Sequence, residues 1–155
     1  MQSRDEEWIT KDWKGGTMTP EEVVDRSYEL ISFAAGSGPA WQEFRELFTS
    51  PCVLALRVFP DDPQITVMDL DSYVVHQMRE GLSEEDYEEI PGERTTTIVG
   101  DAAFVDQKFF IKYGDQVPVP AFDGYSMVRI DGNWRIASII SDMFKEPNGQ
   151  SKSSA

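Results

Sequence analysis

The sequence predicts an α+β domain, a curved antiparallel sheet of about five strands with three helices packed on its concave face. Three observations carry that expectation. A capped amphipathic segment begins at Thr19, an apolar, β-branched run extends from Cys52 to Phe59, and the chain from Arg94 to Lys145 is strand-like and broken by turn dipeptides. Helices collected before a series of consecutive strands give a layered α+β arrangement rather than an alternating parallel one.

The first helix has a complete start signal. Thr19 can cap it, Pro20 suits the first helical position, and Glu22 completes a Thr-x-x-Glu capping box. Val24, Tyr28, Ile31 and Ala35 fall on one stripe, and Gly36 supplies the stop. A second helix is expected from about Pro39, with Trp41, Phe44, Leu47 and Phe48 on one side, ending at Thr49-Ser50-Pro51. Cys52 to Phe59 reads as a buried strand and Pro60-Asp61-Asp62-Pro63 as a loop. A third helix is expected from about Leu70 to Glu80, capped by Asp69 or Asp71 and ended by Gly81. The acid-rich stretch Ser83–Glu89 reads as a solvated edge or turn. Gly100-Asp101, Gly114-Asp115 and Asp131-Gly132 then separate the runs Arg94–Val99, Ala102–Tyr113, Val117–Ile130 and Asn133–Lys145. Pro118 and Pro120 give the third of these runs an irregular start.

A chain of 155 residues, 40% hydrophobic and 12% aromatic, suits one domain with a substantial core. Residues 1–17, polar apart from Trp8, Ile9 and Trp13, read as an N-terminal tail. Residues 18–146 form the domain, and the Ser-rich residues 147–155 read as a disordered tail. Met18 stands directly before the helix start, so Met1 and Met18 are both candidate initiators. The formal net charge of −14 opposes phosphate backbones and anionic bilayers, so neither nucleic acid nor membrane is expected as a partner. Cys52 is the only cysteine, which leaves no intramolecular disulfide and no thiolate zinc site. A leader of basic then apolar residues is absent, as is any apolar stretch of about 20 residues, so a cytoplasmic location is expected.

Strand alternation sorts side chains into two faces. In the run from Ala102, Val105, Gln107, Phe109 and Ile111 are expected inward, with Phe104, Asp106, Lys108, Phe110 and Lys112 outward. In the next run, Phe122, Gly124, Ser126, Val128 and Ile130 are expected to line the concave face, with Asp123, Tyr125, Met127 and Arg129 on the convex one. The last run is apolar on both sides, which leaves its parity open.

This order of elements, Tyr28 in the first helix, and the closing stretch from Tyr125 through Asp131-Gly132-Asn133-Trp134-Arg135-Ile136 resemble the NTF2-like (SnoaL-like, cystatin-like) superfamily over about residues 19–145. The resemblance implies a conical fold with a pocket between helices and sheet, and dimerisation through the convex face. Its members include ketosteroid isomerase, polyketide cyclases, dehydratases, epoxide hydrolases and pure binding proteins, so fold alone does not choose among functions. Set against the isomerases, Tyr28 matches the helix-one tyrosine, Ser126 stands where the oxyanion acid would be, and Leu56 falls near the position of the base. Leu56 cannot abstract a proton, which argues against steroid-isomerase chemistry.

The expected function is therefore binding of an apolar or aromatic small molecule in a mainly apolar pocket, without a cofactor. Tyr28, Trp41, Leu56, Gln107, Phe109, Phe122 and Ser126 are the candidate ligand-binding residues, Trp41 closing the mouth. No residue is assigned to catalysis and none to a metal. Tyr28 reads as a ligand donor or, more readily, as a core residue whose hydroxyl finds an internal partner, and Gln107 and Ser126 as ligand contacts or as mutually satisfied polar groups. The alternatives are a cofactor-independent cyclase, dehydratase or isomerase, its base Asp142, His76 or another acid, and an interaction module using the convex face. A homodimer is expected, because Phe104, Phe110, Tyr125 and Met127 alternate onto that face. A titratable side chain aimed into a deep cavity would favour the enzyme.

Overall fold

The computed structural model of the chain describes residues 17–58, 61–78 and 84–144. The readings of both tails, of Phe59-Pro60 and of the end of the third helix at Glu80 and Gly81 lie outside the described residues. The elements run α1 (Pro20–Ile31), α2 (Trp41–Arg45), β1 (Phe48–Leu56), β2 (Thr66–Met68), α3 (Leu70–Gln77), β3 (Tyr87–Val99), β4 (Ala102–Tyr113), β5 (Val119–Ile130) and β6 (Asn133–Met143). They build a curved, unclosed sheet of six strands in the order β2-β1-β6-β5-β4-β3. It is mixed rather than wholly antiparallel, because β1 lies parallel to β6 while every other neighbouring pair is antiparallel. Among the described residues, no helix is long and apolar enough to cross a membrane.

Helix α1 starts as its sequence dictates. Glu22 N–H donates to Thr19 Oγ1 at 3.1 Å and Thr19 N–H to Glu22 Oε1 at 2.9 Å, closing the capping box. The helix ends at Ile31 with Ser32 as its C-cap, so Ala35 stands outside it and exposed. The chain leaves early because Phe33 pairs with Tyr87 as an isolated antiparallel bridge. Val23, Val24, Tyr28 and Ile31 put the buried side of α1 against the sheet. Burial of each aliphatic side chain there contributes about 1.5–3 kcal/mol.

The second helix is shorter than its apolar spacing suggests. It spans only Trp41–Arg45, and Phe48 already belongs to β1. Leu47 and Phe48 are buried as expected, but by strand pairing rather than on a helical face. Helix α3 begins at Leu70 with Asp69 as N-cap, its carboxylate accepting from Ser72 N–H at 2.8 Å. Strand β2 was not anticipated; three residues carry too little periodicity to register.

Strand β3 starts at Tyr87, inside the stretch read as a solvated edge. Its first residues alternate between buried Tyr87, exposed Glu88 and partly buried Glu89. In β4, Ala103, Val105, Gln107 and Phe109 are buried on the concave side, as alternation predicts. In β5 the parity is the reverse of the expected one. Asp123, Tyr125 and Met127 are buried inward, while Phe122 and Ser126 turn to the convex side. Both stripes of β5 hold large apolar groups, so alternation alone cannot say which faces the helices. The ambiguity in β6 also resolves: Ser126 pairs with Ser138 and Met127 with Ile136, so Ala137 is an extra residue. That bulge switches parity and lets Ile136 and Ile139 both point inward.

Candidate functional site

The buried polar groups of the fold meet where α1 crosses β5 and the start of β3. Helix periodicity brings Ser27 and Tyr28 to the inner side of α1, and the reversed parity of β5 brings Asp123 and Tyr125 up beneath them. Tyr28 Oη donates to Asp123 Oδ2 at 2.7 Å. Ser27 Oγ donates to the Val24 carbonyl at 2.6 Å, so its 2.8 Å contact with Tyr125 Oη has the tyrosine as donor. From β3, Tyr87 Oη donates to Glu89 Oε2. Ser32 ties this strand to the helix, its hydroxyl accepting from Glu89 N–H at 3.0 Å and donating to the Tyr28 carbonyl at 2.8 Å.

Glu89 and Asp123 line one interior cavity of about 50 Å³. Its walls are mostly apolar and aromatic: Phe44, Leu54, Leu56, Tyr73, Phe109 and Tyr125. Glu89 and Tyr28 also line an outer cleft with Asp25, Ser32 and Arg94. Glu89 is therefore common to the interior cavity and the outer cleft.

The electrostatics of the two acids differ from those of surface carboxylates. Burial raises Glu89 from its ordinary 4.5 to about 8, with the Asp123 charge adding to the rise and the Tyr87 hydrogen bond opposing it. Burial raises Asp123 from 3.8 to about 6, restrained by hydrogen bonds from Tyr28 and Ser141. Two close carboxyls in an apolar cavity do not ionise together readily. Both are held above the ordinary carboxylate range, so the pair keeps a proton that surface carboxylates would have lost. Burial also pushes the phenols of Tyr28, Tyr73, Tyr87 and Tyr125 well up, so all four stay neutral donors.

The sequence-derived candidates scatter around this centre. Tyr28 is in it. Leu56 and Phe109 form cavity wall. Trp41 packs edge-on against Phe44 and Tyr73, one layer behind the wall rather than at a mouth. Gln107 is fully buried, and its Nε2 donates to the carbonyls of Gly92, Glu93 and Lys108, pinning the bulge in β3. Phe122 and Ser126 lie on the convex face, away from the cavity. His76 is exposed, with Nδ1 2.8 Å from the Ser72 carbonyl, and Asp142 reaches the cavity paired to Arg57.

Glu89 and Asp123 were not singled out from sequence, although each carries a signal. Asp123 is a lone acid in Ala121-Phe-Asp-Gly-Tyr-Ser-Met127, where every neighbour is apolar or small. Glu89 stands two residues from Tyr87, the strand period that puts both on one face, but the surrounding acids masked it.

No family model and no curated protein matches the chain. Solved structures do. An NTF2-like protein with a cystatin-like fold from Novosphingobium aromaticivorans superposes with a TM-score of 0.64 at 14% identity, over 84% of this chain and 83% of that one. A protein from the same organism, provisionally assigned as a scytalone dehydratase, gives 0.60 at 12% identity over 81% of each chain. A provisionally assigned ketosteroid isomerase from Shewanella frigidimarina gives 0.55 at 15% identity, over 77% of this chain and 91% of that one. The fold is NTF2-like and cystatin-like.

Proposed function

We propose that this NTF2-like domain is a cofactor-independent acid–base enzyme for a small, largely apolar cyclic compound bearing a carbonyl or hydroxyl. The observation that carries this reading is the pair of carboxyls, Glu89 and Asp123, on one largely apolar cavity, both raised above the ordinary carboxylate range by burial. A pure binding pocket for an apolar or aromatic molecule has no use for two buried acids, which are expensive to keep. A pair that holds one proton between its two members offers both partners of a proton transfer at once. Asp123, oriented by Tyr28, takes a proton from the substrate. Glu89, held by Tyr87, delivers one to the substrate oxygen and is renewed through the outer cleft that it also lines. Isomerisation and elimination of water both fit this pair. The neighbours provisionally assigned as a dehydratase and an isomerase are consistent with it as a fold-level analogy.

The direct test follows hydrogen exchange at the α-carbons of acetone, an enolisable ketone of only a few atoms, in deuterium oxide by NMR. Exchange above the uncatalysed rate is expected with the wild-type chain and not with Asp123→Asn. No exchange in either, or equal exchange in both, rejects the reading.

We also propose a homodimer through the convex face. Phe104 and Phe110 are each 43% exposed there and Ile140 56%. The rings of Phe104 and Phe122 lie over Gly124, so that a Cβ at Gly124 would meet them at 3.0 and 3.1 Å. The convex face thus exposes several large apolar side chains, interspersed with Asp106 and Lys108, and burial of such groups against a second copy would remove them from water.

A further inference from the structure

The interior cavity is too small for the substrate that its chemistry suits. At about 50 Å³ it admits a few atoms, less than the 150 Å³ or so that benzene needs in an apolar cavity. Beside it lies a groove of about 440 Å³ lined by Arg57, Asp62, Pro63, Val119, Met143 and Phe144. Arg57, Asp142 and Met143 belong to both spaces. Two of these shared residues form an ion pair: Arg57 Nε donates to Asp142 Oδ1 at 3.1 Å, and Arg57 Nη1 to the Asp62 carbonyl at 3.2 Å.

We propose that the groove holds the body of the substrate, that the substrate is a carboxylate, and that Arg57 is the group that recognises its anionic end. The proposal rests on the acid–base reading for the reactive end, which enters the cavity of Glu89 and Asp123. Three observations support it. Arg57 is a guanidinium at the boundary of an otherwise acidic site, and a planar fork suits a carboxylate in two parallel hydrogen bonds. The existing pair is weakly held, its side chains being 26% and 44% exposed, and pairs at such exposure are marginal and readily exchanged. Asp142 is also provided for when displaced, since its Oδ1 accepts from Met143 N–H at 2.8 Å independently of Arg57. Pro63, Val119, Met143 and Phe144 supply an apolar bed for the ring. A chain of net charge −14 has no general attraction for anions, so selective uptake of one requires a dedicated cation.

The test compares benzoate with its neutral analogue benzamide, titrated into the full chain and followed by amide chemical shifts. Benzoate is expected to bind at least tenfold tighter than benzamide and to shift the amides of Arg57, Val119 and Met143. Arg57→Gln is expected to abolish that preference while leaving benzamide binding in place. Asp142→Asn removes the competing carboxylate and is expected to tighten benzoate several-fold. Benzoate binding no tighter than benzamide to the wild-type chain overturns the proposal without any variant. So does an Asp142→Asn chain that gains no affinity. These measurements read binding alone. A silent ketone-exchange assay with the benzoate preference intact would reject the acid–base reading and keep this one; the reverse pattern would reject this one only.

Discussion

Tyr28 and Asp123 are 95 residues apart in sequence, and their side chains meet in a buried 2.7 Å hydrogen bond that joins α1 to the middle of β5. Burial raises the Asp123 carboxyl above its ordinary range, and the bond restrains that rise, because a phenol that stays neutral donates to its charged form. Around that bond the other polar groups take their roles: Ser141 shares the load on Asp123, and Glu89, its pKa also raised by burial, stands on the same cavity.

Removing the phenol should therefore shift the base. Tyr28→Phe takes away a hydrogen bond to a charged group, worth about 1.5–3 kcal/mol, or about 1–2 pKa units. Asp123 is expected to titrate upward by that amount in a carboxyl carbon-13 NMR titration. An unchanged Asp123 midpoint would show that the bond does not govern its ionisation.

The same acids predict how stability depends on pH. Glu89 releases its proton at about 8 in the folded chain but at an ordinary 4.5 when unfolded, and Asp123 at about 6 rather than 3.8. Across those windows the native state binds more protons than the unfolded one, so stability falls as pH rises. The Glu89 shift alone corresponds to a loss on the order of 3–5 kcal/mol between pH 4.5 and 9. Urea unfolding at a series of pH values should show this decline, and Glu89→Gln should flatten it between pH 6 and 9. A slope that the substitution leaves unchanged would place the effect elsewhere.

A Δ5-ketosteroid should not be turned over. From sequence, the reason is that Leu56 replaces a base; the folded chain does place a carboxyl on the cavity, Asp123, brought in from another strand. The obstacle is space, since about 50 Å³ cannot take the reactive ring of a steroid with its fused neighbours. Enone absorbance should stay at the uncatalysed rate with the wild-type chain. Turnover that is lost in Tyr28→Phe would show that the cavity opens much further than its resting form.

For assembly, light scattering at micromolar concentration should give twice the chain mass, and Phe104→Glu should halve it. A carboxylate placed in an apolar contact costs several kcal/mol when unpaired, enough to dissociate a modest interface while leaving the monomer folded, because Phe104 lies outside the core. A wild-type chain of monomer mass would remove the proposal.

Sequence by itself determined the elements whose signals are local. The capping box at Thr19 and Glu22, the Asp69 cap and the Asp131-Gly132 turn all depend on residues within a few positions of one another, and each stands where its chemistry puts it. The element order was legible too, and with it the NTF2-like resemblance. Tertiary structure decided what depends on distant partners. Phe33 ends α1 early by pairing with Tyr87, and the parallel alignment of β1 on β6 makes the sheet mixed. The face of β5 had two nearly equivalent solutions by alternation, and only the packing of α1 above it selects the one with Asp123, Tyr125 and Met127 inside. The candidate site follows from that choice. An acid is ordinarily assigned to solvent, and Asp123 and Glu89 are inside because Tyr28, Ser141 and Tyr87 satisfy their oxygens from segments that the local sequence does not name.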